Sequence, residues 1–503
     1  MKRFVLTLLL LATILTISAA GKKQSVTYDF PKREFRGAWI QAVNRQFEGI
    51  PAAELQKELS RQLDSLQSCG INAILFQVRV EGDALYKSSL EPWSRYLTGK
   101  QGQAPDEDWD PLQFMTEQCH DRGMEIHAWI NPFRARTAGT RELSSRHQIS
   151  LHPERFVQYG DLTLFNPALK ENRDYICEVA ADIVRRYDID GFHMDDYFYP
   201  YPESGREFND AQDFRRDNRG FTDKADWRRD NVNKFVEQIY KTIKEEKPWV
   251  KFGISPFGIY RNQSASYPDG SKSNGLENYS ALYADILYWI EKGWMDYCIP
   301  QVYWNHGNAA ADYTILTRWW AEHAGGCLMY IGQDVERTVT GKDPDKSDRH
   351  QEIYKMDFQR SLQPALMGSC QWPAKSVVDN PAGYRTTLAN RYYRYPAIQP
   401  VPSSMAGCAP GKVRKVRKVM TIDGPVLFWT APKSKSEAQR AQKYVVYRFE
   451  KGEKADTNDA SHIIAITGRS FYRLSESDSG CTYVISALNR IQEEGDPVRY
   501  RLR

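Results

Sequence analysis

Asp195 and Asp196 stand side by side at the end of the apolar run 189–194, and the aromatic stretch Tyr197-Phe198-Tyr199-Pro200-Tyr201 follows them directly. Two like charges a few ångströms apart repel, and the repulsion raises the pKa of at least one of them. Folding alone gives no reason for that crowding. A carboxylic acid kept protonated near neutral pH, with a second carboxylate and aromatic faces nearby, is what cleavage of a glycosidic bond requires. Asp195 shares strand parity with His193 and is the first candidate for the acid. Asp196 is the second, with the alternative of capping the following loop. Asp83 and Glu81 are candidate partners from across the site, and Asp83 has the alternative of forming a turn before Ala84–Tyr86.

Other polar groups recur at apparent strand ends. Arg79 and Glu81 precede Asp83, and His127, Trp129, Asn131 and Arg134 form a second set. Ser255 and Arg261 follow, then Gln301, Tyr303, Trp304 and Asn305, and finally Gln371 and Trp372. Arg79, Asn131 and Gln301 would orient sugar hydroxyls or hold a carboxylate's charge state. Glu81, Arg134, His193, Tyr197 and Tyr303 would complete a polar lining, while Trp129, Tyr199, Trp304 and Trp372 would offer stacking faces. Two other readings use the same residues. His193 and Asp195 at i and i+2, with His127 or Asp83, could hold a divalent metal for a hydrolase or deacetylase. Alternatively, the same surface could bind glycan without cutting it. No cofactor is expected on the first reading.

These residues need a scaffold that gathers them from distant parts of the chain. Apolar strand patterns over 35–43, 71–80, 124–132, 189–195, 251–256, 297–304, 327–331 and 368–372 alternate with helix patterns such as 53–69, 111–122, 171–187, 227–246, 283–292 and 313–324. Eight strands in alternation with helices predict an α/β fold, a (β/α)₈ TIM barrel over 34–395. Within the strands the polar residues share one parity, as in Gln77, Arg79 and Glu81 or His193 and Asp195, so period two puts them on one face. Barrel interiors favour branched aliphatics, and polar inner faces at strand carboxyl ends predict a site there.

Near residue 396 the composition changes. Pro396, Pro400, Pro402 and Ser403-Ser404 suggest a linker over 396–410. Short alternating strands without a convincing helix then predict a small all-β sandwich over 411–503. Its segments PVLFWTAP, KYVVYRFEKGE and YVISALNR look like a fibronectin type III module. The run KVRKVRK at 412–418 reads as a solvated first strand.

The first twenty residues read as a secretion signal, with Lys2 and Arg3 before an apolar stretch and Ser18-Ala19-Ala20 at a cleavage point. The expected destination is the periplasm or cell envelope, with no membrane span once the signal is removed. A formal charge of +4 over 503 residues argues against a nucleic-acid partner. Eight cysteines spread singly, without CxxC spacing, argue against a zinc site. Cys408 and Cys481 share the C-terminal region and could pair.

Several longer segments together resemble the glycosyl hydrolase-like 10 family of bacterial envelope proteins. They are EFRGAWI (34–40), QVRVEGDALYKSSLEPWSRYLTG (77–99), HAWINPFRAR (127–136), YDIDGFHMDDYFYP (187–200), WRRDNVNKFV (227–236), KFGISPFGIYR (251–261) and DYCIPQVYW (296–304). The resemblance covers about residues 34–395. It implies a glycosidase-related barrel acting on bacterial glycan, with peptidoglycan strands the leading substrate. The fourth strand also looks like a chitinase-type signature, with Asp190 and Asp195 on two of its aspartates. However, Tyr197 stands where that signature places its catalytic glutamate, so the substrate-assisted mechanism does not carry over.

Overall fold

The structure is a computed structural model that describes residues 30–341, 351–475 and 478–502. The expected signal segment lies outside the described residues. Eight parallel strands close into a barrel: β1 (Phe35–Ile40), β2 (Ala73–Arg79), β3 (Glu125–Ile130), β4 (Gly191–Met194), β5 (Lys251–Ile254), β6 (Tyr297–Cys298), β7 (Leu328–Asp334) and β8 (Leu366–Trp372). Each strand pairs with its sequence neighbours, and β1 closes the ring against β8. This is the TIM barrel that the alternation predicts.

Helices α1 (Ala52–Ser68), α2 (Pro111–Asp121), α3 (Lys170–Arg186), α4 (Lys224–Glu246), α5 (Ile286–Lys292), α6 (Tyr313–Glu322) and α7 (Glu352–Ser361) cross between successive strands. In α1 the buried Leu55, Leu59, Leu63 and Leu66 recur at helical spacing and form the stripe that meets the barrel. Helix α2 starts where it does because the Asp110 carboxylate accepts from the Leu112 and Gln113 amides, with Pro111 in the first turn.

The even-numbered β2 residues Ile74, Phe76 and Val78 join the large core beneath the helices. The opposite parity points inward, where Phe35, Trp39, Ala73, Leu75, Trp129, Tyr297, Ile299, Tyr330 and Cys370 form a separate cluster. The loop after β3 holds a small antiparallel sheet that the strand reading does not anticipate. It comprises Arg134–Arg136, Phe156–Tyr159 and Leu162–Phe165.

Beyond the barrel lie two antiparallel sheets. Strands β9 (Arg414–Thr421), β10 (Gly424–Thr430) and β13 (Phe471–Arg473) form one, in the order β9-β10-β13. Strands β11 (Lys443–Phe449), β12 (Ile463–Thr467), β14 (Thr482–Leu488) and β15 (Val498–Arg501) form the other, in the order β12-β11-β14-β15. The basic run lies in and just before the exposed edge strand β9. Lys443 Nζ donates to the Gly123 carbonyl (3.0 Å), and Arg490 pairs with Asp188, so the sheets meet the barrel near the amino ends of β3 and β4. Cys408 is an exposed free thiol and Cys481 a buried one.

Candidate active site

At the carboxyl ends of the barrel strands is a cleft of about 530 Å³, and its lining includes Asp195, Trp129, Arg134, Tyr197, Gln301, Tyr303 and Trp372. The structure brings those seven residues together. Strand β4 ends at Met194, and Asp195 is the next inward position after Gly191 and His193. Its Oδ2 accepts from Trp129 Nε1 (3.1 Å) and Asn131 Nδ2 (3.3 Å). Its other oxygen, Oδ1, is buried and has no hydrogen-bond partner. Burial pushes the Asp195 carboxyl up to about 7, opposed by the Arg134 guanidinium and reinforced by the charge of Asp196. The group is therefore a carboxylic acid able to give up a proton at neutral pH, and its free oxygen has no acceptor inside the protein.

Asp196 takes the opposite parity and does not line the cleft. It is 2% exposed and bonded to the Tyr201 hydroxyl, and burial pushes its carboxyl up to about 6. Asn131 and His193 are both completely buried. Asn131 acts from behind, on Asp195. The two ring nitrogens of His193 are occupied by Tyr297 on one side and by Ser255 and Trp39 on the other. That engagement removes His193 from the metal set considered for it, and among the described residues no three His, Cys, Asp or Glu side chains converge on a common point.

The strand-two group requires correction. Arg79, Glu81 and Asp83 are fully buried and none lines the cleft. The pairing of β2 with β3 slips by one residue between Gln77 and Arg79, so Gln77 is the last side chain of the inward row. A bulge of this kind re-aims everything beyond it. Arg79 turns to Glu91, forming a buried ion pair at 2.8 Å, and donates to the carbonyls of Asn131 and Pro132. Glu81 accepts from the hydroxyls of Tyr96 (2.8 Å), Thr137 (2.5 Å) and Thr140. Asp83 accepts from the Glu81 amide (3.1 Å) and Gln101 (3.1 Å), so its carboxylate is spent on the loop that carries it.

Two aromatic assignments also change. Tyr199 is buried among Phe208, Tyr283 and Arg228, with Asn231 donating to its hydroxyl. Trp304 packs edge-on against Phe257, outside the cleft lining. Asp190 sits at the opposite end of β4, where it accepts from His120 and the Ile126 amide.

The cleft also contains residues that strand-end reading passes over. Trp39 from β1 faces Trp372 edge-on at 6.4 Å, and Trp372 meets Trp129 in the same manner at 6.1 Å. Tyr96 is held by Glu81 and by Arg95, whose guanidinium lies 4.0 Å from its ring. Asp334, at the end of β7, is the one other carboxylate besides Asp195 among the described lining residues. Its Oδ1 caps the helix Val335–Thr340 through the Arg337 amide (2.9 Å), and its Oδ2 is 3.4 Å from the Arg337 guanidinium. Burial raises the Asp334 carboxyl, and these two contacts oppose the rise. The signal for Asp334 is its parity at the end of β7, three residues beyond the end of the expected strand.

Residues 34–347 match the glycosyl hydrolase-like 10 family. The glycosyl hydrolase YngK of Bacillus subtilis (strain 168) is 35% identical over 516 residues, covering 98% of this chain and 96% of that protein. The glycosyl hydrolase DigH of Escherichia coli (strain K12) is 39% identical over 326 residues, covering 60% of this chain and 73% of that protein. Among solved structures, the catalytic domain of a beta-amylase from Paenibacillus polymyxa is similar over 73% of this chain and 98% of its own, at 12% identity and a TM-score of 0.48. The chain belongs to the glycosyl hydrolase-like 10 family.

Proposed function

We propose that the cleft cleaves glycosidic bonds within peptidoglycan glycan strands, with Asp195 as the general acid. One observation carries this reading: Asp195 is a carboxylic acid pushed up to about 7, with one oxygen unpaired and its side chain in the cleft wall. In the reaction the Asp195 proton passes to the bridging oxygen as that oxygen's bond to the anomeric carbon breaks, and the leaving sugar departs as an alcohol. Asp334 stabilises the positive charge that develops on the ring, and water supplies the hydroxyl that ends on the anomeric carbon. The remaining proton of that water returns to the Asp195 carboxylate, which restores the acid before the next substrate binds. Trp129, Trp372 and Tyr197 bound the cleft with aromatic faces on which sugar rings stack.

The amino-terminal pattern of Lys2, Arg3, an apolar stretch and small residues supports an exported protein. Envelope glycan is then the polymer within reach. The two C-terminal sheets fit a fibronectin type III-like module following a linker over 396–410, and such a module spaces or packs rather than catalyses. The test is incubation with purified glycan strands, with and without stem peptides, reading new reducing ends. Release by the native chain and none by a folded Asp195→Asn variant supports the assignment. Binding without release by the native chain would leave a glycan-binding barrel instead.

A further inference from the structure

The barrel interior holds a continuous file of polar side chains from its floor to the cleft. Lys251 Nζ lies 2.8 and 2.9 Å from the two Glu125 oxygens, and Glu125 Oε2 lies 3.1 Å from His127 Nε2. The Tyr297 hydroxyl is 2.7 Å from His127 Nδ1 and 3.2 Å from His193 Nδ1. His193 Nε2 is then 3.0 Å from Ser255 Oγ and 3.3 Å from Trp39 Nε1. Two inward glycines leave room for the file. A Cβ on Gly253 would sit 2.0 Å from the Tyr297 ring, and one on Gly191 would sit 2.5 Å from His127 Nδ1. Branched aliphatics would fill this space at less desolvation cost, since buried polar groups are tolerated only when fully bonded.

The Trp39 indole orients the donors and acceptors of the file. An indole N–H only donates, so His193 Nε2 is an acceptor and the ring carries its hydrogen on Nδ1. That N–H donates to the Tyr297 oxygen, and the Tyr297 hydroxyl donates to His127 Nδ1. His127 then carries its hydrogen on Nε2 and donates to Glu125, whose charge Lys251 balances. At the upper end the Ser255 hydroxyl hydrogen has two acceptors inside the protein, His193 Nε2 (3.0 Å) and the Met194 carbonyl (3.5 Å), and with either one only lone pairs face the cleft that Ser255 lines.

We propose that Ser255 is a substrate-binding residue, an acceptor-only subsite in the cleft floor that takes an O–H or N–H donor from a bound sugar ring. The proposal rests on the glycosidase reading of the cleft. A site built to pair with a substrate donor discriminates sharply against a ring lacking it. The Ser255–His193 contact does not make a nucleophile, because burial and His127 hold the His193 imidazole well below its ordinary pKa and leave it a poor base.

Two measurements test the assignment. With histidine labelled in ¹⁵N, long-range proton–nitrogen correlation on the full chain should show His193 protonated only at Nδ1 and His127 only at Nε2. A His193 hydrogen on Nε2 overturns the proposal. Separately, a β-1,4-linked N-acetylglucosamine tetramer is titrated into Asp195→Asn and into Asp195→Asn with Ser255→Ala, so that turnover plays no part. The second substitution should weaken binding about tenfold or more, and Ser255→Thr should restore it. Equal affinity overturns the subsite, as does absence of binding to Asp195→Asn. Binding to Asp195→Asn with a tenfold loss on Ser255→Ala, but no cleavage by the native chain, overturns the glycosidase reading alone.

Discussion

Two regions at the carboxyl ends of the barrel strands bring buried carboxylates together, and they differ in one respect. Around β2, Arg79, Glu81, Asp83 and Glu91 form a closed network in which every carboxylate meets donors from the protein. Around β4, Asp195 receives two donors on one oxygen and none on the other. Burial raises the pKa in both places, to about 6 for Asp83 and about 7 for Asp195. A perturbed pKa therefore does not by itself separate a candidate acid from a structural carboxyl. Access to the cleft and an unspent oxygen do. The β2 network serves the cleft indirectly, since Glu81 holds Tyr96 at its wall.

The contrast breaks most clearly by amide substitution at the two aspartates. Asp195→Asn should lower kcat on glycan by about 10²–10⁴-fold with the fold retained, because the isostere keeps the packing and loses the proton. Asp83→Asn should leave kcat within a few-fold, and an equal loss at both positions would erase the distinction. Next in size is the buried pair behind β2. Arg79→Met strands Glu91 in the interior and should cost about 3–5 kcal/mol in denaturant unfolding, because a buried charge loses its partner. Where the residual fold persists, the pH profile of catalysis should stay in place.

The pH dependence sharpens the comparison further. A carboxyl whose folded pKa lies above the unfolded value of 3.8 holds its proton longer in the native state, so stability falls as pH rises through that interval. For Asp83 the interval closes near 6 and for Asp195 near 7. Thermal unfolding from pH 4 to 7 should show that decline. Asp83→Asn should remove its share of the decline only below about pH 6, and Asp195→Asn should remove a share that extends to about pH 7. Turnover should fall above about pH 7 as Asp195 deprotonates, and only Asp195 substitutions should remove that limb. The smallest effect is expected at the aromatic wall. Trp372→Ala should raise KM about three- to tenfold with little change in kcat, read from initial rates.

Much of this was legible in the chain itself. The eight-strand alternation, the inward parity of Asp195 and the polar ends of β3, β4 and β6 follow from period two and period 3.6, which are local properties of the backbone. Glycan chemistry was legible from the Asp195–Asp196 pair within its aromatic run. The errors arose where local alternation fails. Strict parity carries Arg79 and Glu81 inward and makes Asp83 a candidate partner of Asp195 across the mouth, but the slip after Gln77 ends that row. Tyr199 and Trp304 read as stacking faces because burial cannot be seen in residue type. Asp334 was missed because its role depends on β7 being carried three residues farther and turned into the cleft.

The sequence by itself determined the architecture, the strand that bears Asp195 and the class of chemistry, because hydrophobic periodicity and the adjacency of two carboxylates are written in order along the chain. Only the tertiary structure decided which carboxylate keeps a free oxygen, which ones are spent on structure, and that Asp334 shares the cleft with Asp195. Those outcomes depend on hydrogen bonds between residues scores of positions apart, such as Trp129 to Asp195 and His193 to Ser255, and on a one-residue slip between paired strands. Solvation and pairing are properties of a site assembled in three dimensions, and no local pattern in the chain encodes them.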